Sequence, residues 1–244
     1  MSEHDAVVET YHCDGVVRIR RFFQPQQVEA IRAELERYLR DDLATKPPDA
    51  RTVEADGTTI RNLWRLEQHN SFFHQLGHRR QLTELVHRLV GGPPLLVGVE
   101  TFNKPARVGS AVPHHQDNAY FCQIPPDMLT VWVAIDAVTE TNGPVCFLRG
   151  SHRRGMLPTR PSGVAGNSIG LASPPEAPEE QEFRATLNPG DATIHHCQTI
   201  HHSEPNRSDQ ARLGLLLVYR GEHTRTDPQL QAAYDRARSA TPPA

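Results

Sequence analysis

Beyond residue 93 the chain breaks into short apolar runs separated by turn formers, and this rhythm restricts the fold more than any other feature. LLVGVETFN (95–103), LTVWVAI (129–135), VCFL (145–148), ATIHH (192–196) and RLGLLLVY (212–219) are rich in β-branched and apolar residues. Between them stand Pro125-Pro126, Asn142-Gly143-Pro144, Pro189-Gly190-Asp191 and Pro205-Asn206. Strands this short and evenly punctuated point to an antiparallel sandwich or barrel.

The first ninety residues follow a different period. In residues 25–43, Pro25 suits a first helical turn, and Val28, Ile31, Leu35 and Leu39 recur at helical spacing opposite a charged face. A second helix is predicted over 79–90, where Leu82, Leu85, Val86 and Leu89 form one stripe and Gly91-Gly92 ends it. Both stripes are expected to face the core. Asp14-Gly15 reads as a turn entering the strand VVRIR, which makes His12-Cys13-Asp14 a poor metal site despite its spacing. Residues 44–60 and 156–182 are rich in Pro, Gly, Ser, Ala and Glu. The second stretch is long for a connector and is predicted to form a lid over the barrel mouth. The expected organisation is one domain over 1–244, with a helical lead-in to about 93 and a β core over about 94–221.

Charge and composition exclude several roles. A net charge of −3, with 26 basic and 29 acidic residues, creates no general attraction to nucleic acid or anionic lipid. No apolar run approaches the eighteen residues of a membrane span, and the polar, acidic start is unlike a secretory signal. The four cysteines, Cys13, Cys122, Cys146 and Cys197, are scattered without a C-x-x-C pair. A reduced, cytoplasmic setting is expected, with a small-molecule substrate rather than nucleic acid or membrane as partner. Oligomeric state is not specified by any of these features.

Within the strand-rich half, PHHQDNAYF (113–121) stands out. On an extended chain His115 and Asp117 point to one side and together suit one metal ion. A third ligand must come from elsewhere, and residues 194–221 offer four histidines inside eight positions: His195, His196, His201 and His202. Two histidines and one carboxylate on one face of an ion form the facial set of non-haem Fe(II) oxygenases, whereas zinc usually takes a tetrahedral site with one open position. A 2-oxo acid chelated to iron would need a cation for its far carboxylate. Arg212, at the start of the last long strand, supplies a guanidinium suited to bidentate pairing.

From about residue 95 to 220 the chain resembles the phytanoyl-CoA dioxygenase-like Fe(II)/2-oxoglutarate oxygenases. The pieces that carry the resemblance are H-Q-D-x-x-Y-F (115–121), T-V-W (130–132), N-G-P (142–144), G-S-H-R-R-G (150–155), P-G-D (189–191) and H-x-S-x-P-N-R-S (201–208), followed by Arg212. Their order and separations match together, and D-G-V-V-R-I-R (14–20) belongs to the less specific lead-in. The resemblance implies a double-stranded β-helix, or jelly roll, with helices outside. It also implies iron ligation by His115, Asp117 and His201, and a contact of Arg212 with the distal carboxylate of 2-oxoglutarate, with Ser203 and Trp132 beside it. Two departures lie close by: His202 replaces a residue that is usually small, and His195 one that is commonly apolar.

The expected activity is therefore hydroxylation of a small organic molecule with O₂, releasing succinate and CO₂. Gln116, Tyr120, Phe121 and Lys104 are candidate substrate contacts on position alone. Desaturation, cyclisation or epoxidation by the same cofactors are alternatives, as is a metal-binding jelly roll without oxygenase activity. Asp117 argues against halogenation, because halogenating relatives lack that carboxylate ligand.

Overall fold

In the computed structural model, which describes residues 3–164, 167–173, 175 and 181–239, the strand-rich half forms two facing antiparallel sheets. Three strands precede it: β1 (Val16–Ile19), β2 (Arg51–Val53) and β3 (Ile60–Leu63). They are followed by β4 (Pro94–Lys104), β5 (Val112–His115), β6 (Gln123–Ile124), β7 (Met128–Ala134) and β8 (Val145–Leu148). A hairpin of β9 (Thr159–Val164) and β10 (Asn167–Leu171) comes next, then β11 (Glu182–Arg184), β12 (Ala192–His196), β13 (His201–Ser203), β14 (Arg212–Gly221) and β15 (Arg225–Thr226). The major sheet runs β1-β12-β7-β14-β4-β3-β2 and the minor sheet β11-β8-β13-β5. This is the jelly roll that the family resemblance implies, within the antiparallel sandwich or barrel that the strand rhythm suggests.

Period-two alternation explains how the major sheet serves two surfaces. Along β7, Leu129, Val131 and Val133 join the core beneath the helices, while Trp132 and Ala134 pack toward the minor sheet. All seven residues of β7 are buried, because both faces are covered. On β14 Leu215 and Leu217 face the helices, and Arg212, Leu216 and Val218 line the barrel interior. Gly214 lies between them, where a Cβ would stand 2.1 Å from Trp132 Cζ2. Glycine is what lets the indole lie flat against β14.

Helices α1 (Glu3–Asp14), α2 (Pro25–Arg37), α3 (Leu66–His69), α4 (Ser71–Gly77) and α5 (Arg80–Val90) precede the main strands, and Tyr11, Val28, Ile31, Phe73, Leu76 and Leu85 among their residues pack on the outer face of the major sheet. The α5 stripe is as predicted: Leu82, Leu85, Val86 and Leu89 are buried, each contributing roughly 1.5–3 kcal/mol relative to an exposed side chain. The α2 stripe departs from expectation at its end. A π-helical turn at Tyr38–Asp42 widens the spiral, so Tyr38 and Leu43 enter the core and Leu39 is left 41% exposed.

The lead-in is not purely helical, since β1 forms one edge of the major sheet and β2–β3 the other. Among the described residues of the 156–182 stretch, β9 and β10 form an antiparallel hairpin; residues 165, 166, 174 and 176–180 lie outside the described residues. Among the described residues no helix is long and apolar enough to cross a membrane. After β5 comes α6 (Asn118–Phe121), and α7 (Pro228–Ser239) closes the described chain.

Candidate metal centre and adjoining cavity

His115 and His201 are register partners on β5 and β13, and their ring centroids lie 4.0 Å apart. Asp117 follows β5 after one intervening residue, where the strand has already turned into α6, with φ −56° and ψ −32°. A strand end followed by a helical turn, rather than two positions of one extended run, sets the pair on one side. Asp117 Oδ1 lies 3.6 Å from His115 Nε2 and 3.5 Å from His201 Nε2. His115, Asp117 and His201 thus offer three ligand atoms to a single ion.

Neighbouring groups prepare these atoms for a metal. His115 Nδ1 bonds to the Pro113 carbonyl and His201 Nδ1 to the Thr199 carbonyl, each at 2.9 Å. Carbonyls only accept, so each Nδ1 carries the proton and each Nε2 presents a lone pair. Asp117 is oriented as well: Oδ2 accepts from Thr130 Oγ1 and His195 Nε2, both at 3.1 Å, which leaves Oδ1 facing the two imidazoles. Burial alone would raise the Asp117 carboxyl, but His201, His115 and His195 outweigh it and hold the group well below the usual range. Burial, reinforced by His115, pushes His201 downward and favours the neutral form that ligates metal.

A cavity of about 850 Å³ opens from this cluster, large enough for a small dicarboxylate and a second organic molecule together. Arg212, Trp132 and Ser203 line one part of it. Arg212 is 1% exposed, and its Nη2 donates to the Gly143 carbonyl at 2.5 Å. Its Nε and Nη1 are buried without a partner. Burial, with the Arg61 guanidinium adding to it, pushes Arg212 down to about 9. A buried cation with two unanswered donors on a cavity wall calls for an anion such as a carboxylate. The residues present therefore suit Fe(II) and 2-oxoglutarate together.

The candidate substrate contacts divide. Tyr120 and Phe121 line the cavity, with the Tyr120 hydroxyl donating to the Ile169 carbonyl at 2.6 Å and so fastening β10 across the opening. Gln116 is not available to a substrate. Its amide nitrogen donates to the Gly155 and Gln198 carbonyls, both at 2.8 Å, and its oxygen accepts from Leu157 N at 2.9 Å. Lys104 does not reach the cavity either. Fully buried, it donates from Nζ to the Ser110 and Glu204 carbonyls at 2.7 and 2.6 Å, and burial beside Arg212 pushes it down to about 6. Both side chains tie loops together, because each lies between backbone carbonyls that would otherwise be buried unpaired.

His202 bonds from Nε2 to Glu182 Oε2 at 3.2 Å, and its ring lies 4.0 Å from that of His114, so it serves β11 rather than the metal cluster. His12 and Asp14 lie at the C-terminal end of α1, outside the cluster. The sequence places His195 in the barrel lining or wall, but neither its bond to Asp117 nor the places of Thr130 and Glu100 on the cavity wall follow from it. Thr130 was within reach, because it lies two residues from Trp132 on the same strand face.

The family profile of phytanoyl-CoA dioxygenase (PhyH) matches residues 11–214, most of the chain. A probable alpha-ketoglutarate-dependent hypophosphite dioxygenase of Stutzerimonas stutzeri is 27% identical over 213 residues, covering 84% of this chain and 74% of its own. L-proline trans-4-hydroxylase of Streptomyces griseoviridis is 25% identical over 236 residues, covering 86% and 83%. Among solved structures, the apo form of the non-haem monooxygenase ThoJ superposes with a TM-score of 0.75 at 25% identity, covering 91% of this chain and 79% of that one. The chain belongs to the phytanoyl-CoA dioxygenase (PhyH) family and is a non-haem Fe(II)/2-oxoglutarate-dependent dioxygenase.

Proposed function

We propose that the cavity hydroxylates a small organic molecule, with His115, Asp117 and His201 holding Fe(II) and Arg212 anchoring the distal carboxylate of 2-oxoglutarate. When bound, iron and 2-oxoglutarate supply the oxidising chemistry: O₂ is reduced, 2-oxoglutarate is decarboxylated to succinate and CO₂, and one oxygen atom enters a substrate C–H bond. The protein binds, orients and excludes water. Trp132 lies beneath the Arg212 guanidinium, and Ser203 stands two residues after His201 on the same strand. Tyr120 and Phe121 offer aromatic surface to the substrate, and the β9–β10 hairpin, through Val164, Asn167 and Ser168, closes over it as a lid. Its four free cysteines, three of them buried, suit a cytoplasmic setting.

The observation that carries this reading is the pair of unanswered Arg212 donors on the same cavity as the His-Asp-His cluster. Purified protein should develop the iron-to-2-oxoglutarate charge-transfer absorption when both are added without O₂, and should release succinate once O₂ is admitted. Asp117→Ala should abolish both signals, while His12→Ala with Asp14→Ala should leave them intact. Charge-transfer absorption that survives Asp117→Ala would overturn the ligand assignment.

A further inference from the structure

One carboxylate on the cavity wall has no part in holding iron or 2-oxoglutarate. Glu100 lies on β4 opposite Leu216 of β14, which in turn is opposite Trp132 of β7. The three form one inward-facing row and all line the cavity. The next row along the sheet holds Gly98, Val218, Thr130 and His195, the last two being the residues that orient Asp117. Glu100 therefore stands on the wall beside the metal centre, on the strand that borders β3 and the helices.

Among the described residues no donor hydrogen-bonds the Glu100 carboxylate and no cation lies within ion-pair distance of it. Glu67, an acidic neighbour, is engaged elsewhere, accepting from Val99 N at 2.7 Å. Burial, with Glu67 and Asp117 adding to it, raises the Glu100 carboxyl to about 8, and only Arg65 acts the other way. Arg65 stands at the rim, 38% exposed and paired with Asp49 at 2.9 Å. Glu100 is half-buried on the cavity wall; a carboxylate set there without a partner is costly, and such groups persist in a binding site where a ligand completes them.

The ligand's charge follows. Iron(II), the 2-oxoglutarate dianion, Asp117 and Arg212 would cancel one another; Arg65 and Asp49 pair at the rim and Arg51 is exposed, which leaves Glu100 as the acid beside the metal centre without a counter-charge of its own. An anionic substrate would place like charges together in a poorly screened space. A protonated amine would favour the charged form of the Glu100 carboxyl and pair with it, and would meet the aromatic faces of Trp64, Tyr120, Phe121 and Tyr234, which line the same cavity. We propose that Glu100 is the specificity-determining residue and that the substrate is a small molecule carrying a cationic nitrogen seated against it. This rests on the reading of the cavity as the oxygenase active site.

The test uses the protein loaded with Fe(II) and 2-oxoglutarate in the absence of O₂, with the charge-transfer absorption as the binding signal. Matched series on one carbon frame (cyclohexylmethylamine, cyclohexylmethanol, cyclohexanecarboxylate, and the corresponding benzyl compounds) are titrated in. Amines should perturb the band at concentrations at least about tenfold below those of the alcohols, with the carboxylates weakest. Glu100→Gln should erase the amine preference and leave iron and 2-oxoglutarate binding unchanged. Its thermal midpoint should hold or rise, since the amide replaces a carboxyl that has no partner among the described residues. Amines that act no better than alcohols, a preference that survives Glu100→Gln, or a fall in the midpoint would each overturn the assignment. A band that never forms in the parent protein would instead sink the oxygenase reading on which it rests.

Discussion

The guanidinium carbon of Arg212 lies 5.0 Å from the centroid of the Trp132 ring, and the two side chains come from adjacent strands, β14 and β7. The indole covers one face of the cation, Gly143 takes one donor, and Nε and Nη1 have no partner among the described residues. This contact links the strand register to the proposed cosubstrate anchor.

Arg212→Ala removes one partner of a buried charged pair, a loss of roughly 3–5 kcal/mol. At about 1.4 kcal/mol per tenfold, 2-oxoglutarate affinity should fall on the order of a hundredfold or more, with iron content nearly unchanged. Arg212→Lys should recover only part of the loss, because lysine keeps the charge without the fork. Titration of the charge-transfer band reads both values; parent-like affinity in Arg212→Ala would mean that another residue anchors the acid.

Gly214→Ala tests the contact from beneath. The added methyl would stand 2.1 Å from Trp132 Cζ2, and a ring atom wedged between sheets has little room to yield. Stability should drop by about 1–3 kcal/mol in denaturant unfolding, and 2-oxoglutarate should bind more weakly as the indole shifts. Iron affinity should stay near the parent value, since none of the three ligands touches this position. Equal loss of iron would show a general collapse of the barrel.

His195 reaches the proposed metal site through Asp117. Its Nε2 donates to Asp117 Oδ2, and its Nδ1 is buried without a partner. His195→Phe should fill the space but lose the donor, lowering iron affinity roughly ten- to a hundredfold in competition with a chelator. His195→Gln, which retains an N–H donor, should restore part of it. If both variants bind iron alike, the imidazole is packing and not positioning.

The β9–β10 hairpin should respond to occupancy. Tyr120 fastens it through Ile169, and Asn167 and Ser168 line the cavity. Amide exchange over 159–164 and 167–171 should slow when substrate joins iron and 2-oxoglutarate. Tyr120→Phe should weaken that protection by removing the bond to the Ile169 carbonyl. Identical exchange with and without substrate would make the hairpin a fixed part of the wall.

Local pattern was enough to reveal the antiparallel strands and the α5 stripe, because period-two and period-3.6 apolar spacing arises within one element. The spacing of His115 and Asp117 and the position of Arg212 at a strand start were equally local. The choice among four clustered histidines was not. Extended backbone turns alternate residues apart, yet only the pairing of β13 with β5 brings His201 rather than His202 against His115. The same holds for Gln116 and Lys104, polar residues beside a site whose true surroundings are backbone carbonyls from distant loops. His195 and Glu100 gain their meaning from strand register across the major sheet, which sets one beside Asp117 and leaves the other without a partner on the cavity wall. Chemistry that belongs to one residue and its near neighbours is readable along the chain. Contact between residues far apart in sequence depends on how the strands pair, and that was decided only when the barrel closed.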